Sequence, residues 1–135
     1  MALPYSVLLV EDDDPLRGVL RELLRTWGWR VHATGEGDEA IAMAHRIAFD
    51  FSILDLHLPG ITGCEVLRTI NRQVRPLPSI MISGEASPEE TEIALQMGAF
   101  TLLHKPLDMA RLRLTLDHLI LHHFGTGPGN RPPGP

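Results

Sequence analysis

Cysteine is nearly missing from these 135 residues. Cys64 stands alone, so no internal disulfide can form, and a reducing compartment fits the chain. A basic excess is missing too. Twelve Lys and Arg against 17 Asp and Glu leave a net charge of -5. That argues against a nucleic-acid-binding module, which needs a basic stripe. No apolar run reaches the roughly 18 residues of a membrane span. The N-terminal "MALPYSVLLVEDD" has no basic region, and its apolar run ends at acids rather than at a cleavage site. There is no internal repeat and no sign of a second domain. These absences predict one soluble, cytoplasmic domain with one core.

What is present is an alternation of two patterns. Tyr5 to Val10 is short, β-branched and apolar, and reads as a buried strand. Asp14 and Pro15 then suggest an N-cap and a first-turn proline. Leu16, Val19, Leu20, Leu23 and Leu24 follow at helical spacing, with Gly28 just beyond. "WRVHAT" reads as a second strand, Gly35 to Asp38 as a turn, and Ala40, Ile41 and Ala44 mark a second helix. "FSIL" is a third strand, followed by a loop from Gly60 to Gly63 and a helix marked by Val66, Leu67 and Ile70. "PSIMIS" is a fourth strand. Ser87-Pro88-Glu89-Glu90 opens a fourth helix with a cap, a proline and first-turn acids, and Gly98 closes it. "FTLL" is a fifth strand, and Leu107 to Phe124 a last helix. Residues 1–124 form the predicted domain. The Gly- and Pro-rich residues 125–135 are expected to be disordered. Five strand–helix alternations predict an α/β fold, a parallel sheet with helices on both faces.

Such sheets bind ligands beyond the carboxyl ends of their strands. Glu11, Asp12 and Asp13 follow the first strand, Asp55 the third, Ser83 the fourth, and Lys105-Pro106 the fifth. An unpaired carboxylate ending so apolar a strand is costly. Asp55 beside Glu11 and Asp12 would be repelled and desolvated unless a cation intervened. Magnesium suits an oxygen-only set and keeps room for phosphate oxygens. Lys105 adds positive charge and Ser83 a donor, so the group reads as a holder for an anion on Asp55.

"LLVEDD", "ILDLHLPGITG", "IMIS" and "HKP", in this order, resemble the receiver domain of bacterial two-component response regulators, over about Ser6 to His123. The resemblance implies a flavodoxin-like, doubly wound sheet of five parallel strands in the order 2-1-3-4-5, with five helices. It implies that Asp55 accepts a phosphoryl group from a histidine kinase or a histidine phosphotransfer protein. Asp12 would bind Mg²⁺ directly, Glu11 through water, and His57 through its backbone carbonyl, with Asp55 also in the metal set. Ser83 and Lys105 would hold the phosphoryl group, and Pro106 would follow a cis peptide. The chain would be a signalling switch that promotes only its own phosphorylation and dephosphorylation, and not an enzyme in the wider sense. A stand-alone regulator controlling a partner protein is the expected role. The alternatives are a receiver cut from a longer regulator or hybrid kinase, and a pseudo-receiver that is never phosphorylated. An aspartate-based phosphohydrolase is disfavoured, because His57 stands where its general acid would be.

Three features stand apart. Leu102 occupies the position where the family usually has a switch aromatic. His57 and Glu85 lie two residues after Asp55 and Ser83, where in the family side chains flank the path of the hydrolytic water. On the last helix, Met109, Leu112, Leu116, Leu119 and Ile120 form a core stripe, while Leu107, Ala110, Leu114 and Leu121 form a second apolar side suited to a homodimer or a target. His118 and His122 have metal-binding spacing on that helix but no evident third ligand.

Overall fold

Five parallel strands alternate with five helices: β1 (Ser6–Val10), α1 (Asp14–Thr26), β2 (Arg30–Thr34), α2 (Gly37–Arg46), β3 (Phe51–Asp55), α3 (Gly63–Gln73), β4 (Ser79–Ser83), α4 (Pro88–Gln96), β5 (Thr101–His104) and α5 (Met109–Phe124). The structure, a computed structural model, describes residues 3–125 and 130–131. The strand order is β2-β1-β3-β4-β5, the order 2-1-3-4-5 that the resemblance implies. The chain leaves β1 toward β2 and returns to β3 on the other side, so the switch point lies between β1 and β3.

Side chains alternate across the sheet and fill two layers. Val7, Leu9, Ile53, Ile80 and Ile82 face α1 and α5, meeting Leu20, Leu24, Leu112, Leu116, Leu119 and Ile120. Leu8, Val10, Leu54 and Met81 face α2, α3 and α4, meeting Met43, Val66, Leu67, Ile70 and Ala94. β3 is buried along its whole length, which is why "FSIL" reads as a continuous apolar run. The central strands also carry polar atoms. The hydroxyls of Ser52 and Ser79 bond each other, and the Ser79 hydroxyl also donates to the Leu77 carbonyl at 2.9 Å. Tyr5, Phe51 and Trp29 close the outer layer at the start of the sheet. The Arg113 guanidinium lies 4.7 Å from the Trp27 ring and 5.2 Å from the Trp29 ring.

Several local expectations shift. The cap of α1 is Asp13, not Asp14: the Asp13 Oδ2 accepts the Leu16 N–H at 2.9 Å. Asp14 is instead the first helical residue and pairs with Arg17 at 2.6 Å. With acids at both positions, spacing alone could not choose between them. Val19 is exposed, because the buried stripe of α1 is narrower than its apolar sequence. Leu107 precedes α5 and packs against the core, so it leaves the second apolar side of that helix. Ala110, Leu114 and Leu121 remain exposed there. At α4 the expected cap is a complete capping box between Ser87 and Glu90.

Leu3–Pro4 and Asn130–Arg131 pair as a two-residue antiparallel ladder. The disorder expected for 125–135 otherwise falls on 126–129 and 132–135, which lie outside the described residues.

Candidate functional site

Strand register assembles the site. Val10 lies level with Leu54, so Glu11 and Asp55 leave the sheet side by side. Ser83 lies level with His104, which sets it beside Lys105 on the same rim. The Lys105 N–H also bonds the Ser83 carbonyl at 2.8 Å, and the Lys105–Pro106 peptide is cis.

Carboxylate oxygens of Glu11, Asp12 and Asp55 lie within 4.8 Å of one another. Glu11 is fully buried, Asp55 nearly so, and Asp12 is exposed. The Lys105 Nζ stands 2.6 Å from the Glu11 Oε1 and 2.9 Å from the Asp55 Oδ2. Burial pushes the Glu11 carboxyl up to about 7, and Asp55 adds to the rise, against the opposing effect of Lys105 and of the Asp13 N–H. Burial alone would lower the Lys105 ammonium, but the two carboxylates hold it above its ordinary value. This pocket of negative charge, only partly offset by one lysine, fits a hard divalent cation with oxygen ligands.

Ser83 and His57 complete the rim. Ser83 is fully buried, and its Oγ accepts the Glu85 N–H at 3.2 Å. The His57 N–H donates to the Asp55 Oδ1 at 3.0 Å. The His57 ring is not a free loop side chain. Its Nδ1 lies 3.4 Å from the Ser83 Oγ, and its Nε2 lies 2.7 Å from the Glu90 Oε2. That bond, with the Ser87 N–H, holds the Glu90 carboxyl below its ordinary value. Asp55, His57, Gly84, Glu85, Glu90 and Lys105 line an open cavity of about 510 Å³.

Two contributors were not legible in the sequence. Glu90 is visible there only as a first-turn acid of α4. Arg17 braces the acidic turn, its Nη1 donating to the Glu11 carbonyl at 2.9 Å. A Cβ on Gly35 would lie 2.9 Å from that nitrogen. Asp13, which continues the acidic run, spends its side chain on the α1 cap. Among the described residues, His118 and His122 belong to no group of three possible metal ligands. The His122 ring instead meets His123 edge-on and Phe100 at a tilt.

Residues 7–117 match the family described as the response regulator receiver domain. The chain belongs to this family. As a receiver domain it is a phosphoaspartate signalling domain of a two-component system rather than a conventional enzyme, and its Glu11–Asp12–Asp55 triad is typical of the receiver magnesium site. Among curated relatives, the transcriptional regulatory protein ZraR of Klebsiella oxytoca is 32% identical over 117 residues, which cover 87% of this chain and 26% of that protein. ZraR of Salmonella typhimurium is 32% identical over 122 residues, 90% of this chain and 28% of that protein. The receiver thus spans about a quarter of these relatives. Among solved structures, the Vibrio cholerae chemotaxis protein CheY4 is 31% identical with a TM-score of 0.80, covering 85% of this chain and 98% of its own. A Burkholderia pseudomallei response regulator, solved with a phosphorylated aspartic acid, a calcium ion and citrate, is 25% identical with a TM-score of 0.76, covering 83% of this chain and 66% of its own. No described helix is long and apolar enough to cross a membrane.

Proposed function

We propose that Asp55 is the phosphoacceptor of this receiver, and that its phosphorylation controls binding of a partner protein. The observation that carries the reading is the convergence of Glu11, Asp12, Asp55 and Lys105 from three strand ends on one rim. An Asp55 carboxylate oxygen attacks the phosphorus of a phosphohistidine on a histidine kinase or phosphotransfer protein. The phosphorus–nitrogen bond breaks, and its electron pair stays on the leaving imidazole. Such transfer depends on positioning and charge stabilisation. Lys105 pairs with the phosphoryl oxygens, and Ser83 donates its hydroxyl proton to one of them. Asp12 and Asp55 would bind magnesium directly, Glu11 through water and His57 through its backbone carbonyl. The ion would supply charge neutralisation at the phosphoryl oxygens. His57 and Glu85, at the mouth of the cavity, tune the lifetime of the acyl phosphate.

The same output, control of a partner protein, holds whether the receiver acts on its own or works inside a longer regulator or hybrid kinase. Ala110, Leu114 and Leu121 offer an exposed face for self-association or for the target. Intact mass after incubation with magnesium and acetyl phosphate tests the phosphoacceptor. One added phosphate on wild type and none on Asp55→Asn is expected. No adduct on either folded protein overturns the reading and favours a pseudo-receiver.

A further inference from the structure

The Glu90 carboxylate has two separate duties. Its Oε1 accepts the Ser87 N–H at 3.1 Å, closing the capping box of α4. Its Oε2 sits 2.7 Å from the His57 Nε2. The other His57 nitrogen, Nδ1, lies 3.4 Å from the Ser83 Oγ, at the outer limit of hydrogen-bond reach. One imidazole therefore spans from the hydroxyl of the phosphoryl site to the first turn of α4.

Donor counting gives this span a direction. An ionised carboxylate only accepts, so the His57 Nε2 donates to Glu90. The relay takes the ring as neutral: Nδ1 is then an acceptor, and the Ser83 hydroxyl is the donor that faces it. A hydroxyl carries one proton. Given to a phosphoryl oxygen on Asp55, it is no longer available to His57. Phosphorylation thus removes one of the two anchors of the ring.

The other anchor is on a lightly held helix. Ala94 is the only buried residue of α4, and Ile93 and Leu95 are exposed. The His57 and Glu90 side chains are 46% and 40% exposed, so their bond is weak enough to be made and broken readily. Leu102, which offers no ring to reorient, is packed into the core layer that includes Ala94.

We propose that the His57–Glu90 pair carries the state of Ser83 to α4, with Glu90 as the receiving end on the helix and no part of the phosphoryl-transfer machinery. The inference rests on Asp55 being the phosphoacceptor. The test compares amide hydrogen exchange of residues 88–96 with and without acetyl phosphate and magnesium, in samples whose phosphorylated fraction is read by intact mass. Wild type is expected to change its exchange rate in α4 by about threefold or more on phosphorylation. Glu90→Ala loses this change while still taking the phosphate on Asp55. Ser87→Ala is the structural control: it removes the side-chain cap of α4 but leaves the His57–Glu90 bond, and so keeps the change. A phosphorylated Glu90→Ala protein that still shows the wild-type change overturns the inference. So does loss of the change in both variants, which would mark Glu90 as a cap only. Absence of phosphate from wild type overturns the phosphoacceptor reading and this one with it. That failure is seen in the mass spectrum before any exchange is measured.

Discussion

Lys105 lies closer to Glu11 than to Asp55: its Nζ is 2.6 Å from the Glu11 Oε1 and 2.9 Å from the Asp55 Oδ2. The lysine expected to meet the phosphoryl group is, before phosphorylation, the shared counterion of two buried acids.

Removing that counterion exposes the cost of the acids. Lys105→Met is expected to lower unfolding free energy by about 2 kcal/mol at neutral pH in EDTA, since it leaves buried carboxylates unpaired. Excess magnesium chloride should restore part of the loss. Urea denaturation in the two buffers reads both effects, and an unchanged midpoint in EDTA would show that the pair contributes nothing.

Glu11 gives a pH dependence of definite sign. Its carboxyl rises from the ordinary 4.5 to about 7 in the folded protein, mainly through burial. Between those values the folded state binds a proton that the unfolded state has released. Stability therefore falls as pH rises from about 4.5 to about 7, and the contribution is greatest below that window. The check is the melting temperature in EDTA across this range for wild type and Glu11→Gln. Wild type should lose stability relative to the variant as pH rises; the opposite slope would refute the assignment.

Gly63 is set by close approach rather than by backbone angle. A Cβ there would stand 2.2 Å from the Asp55 carbonyl oxygen, and the Gly63 N–H donates to the Leu56 carbonyl at 2.8 Å. The start of α3 thus rests directly on the end of β3. Gly63→Ala must push one backbone off the other, at about 2–3 kcal/mol. It should also reduce the rate of Asp55 phosphorylation by acetyl phosphate, because the displaced backbone belongs to Asp55. Wild-type denaturation and labelling rates would contradict this.

The exposed face of α5 has a direct test. Leu114 and Leu121 are 57% and 59% exposed. If they form a dimer surface, Leu114→Glu/Leu121→Glu sediments at about half the wild-type mass. Equal masses remove the dimer and leave the face to another partner.

The alternating strands and helices and the four charged or hydroxylic strand ends were legible because each depends on local pattern, whereas the strand order came only from the family resemblance. Apolar strands give the layers, and a polar residue at each strand end marks the rim. Contacts that depend on register were not legible. Lys105 was read as the partner of the phosphoryl group, and nothing in its spacing from Glu11 announces their bond. Glu90 reads in the sequence as a first-turn acid of α4, but its Oε2 reaches His57 across 33 residues. The acidic run "EDDD" shows the same limit within four positions. Glu11 and Asp12 join the metal-ligand cluster, Asp13 caps a helix, and Asp14 pairs with Arg17. Composition makes those four acids equivalent, and only the path of the backbone tells them apart.

The Tyr5 ring packs 5.3 Å from that of Phe124. The end of the last helix is thereby fastened near the start of β1, whereas Asp55 lies at the opposite, carboxyl end of the strands. Five strand residues separate the two ends by about 16 Å. A segment joined after α5 would leave from the end of the sheet remote from the phosphoryl site. A bulky phosphodonor could then dock over Asp55 while such a segment stayed attached, so a tether or tag placed at that end should leave the approach to the aspartate open.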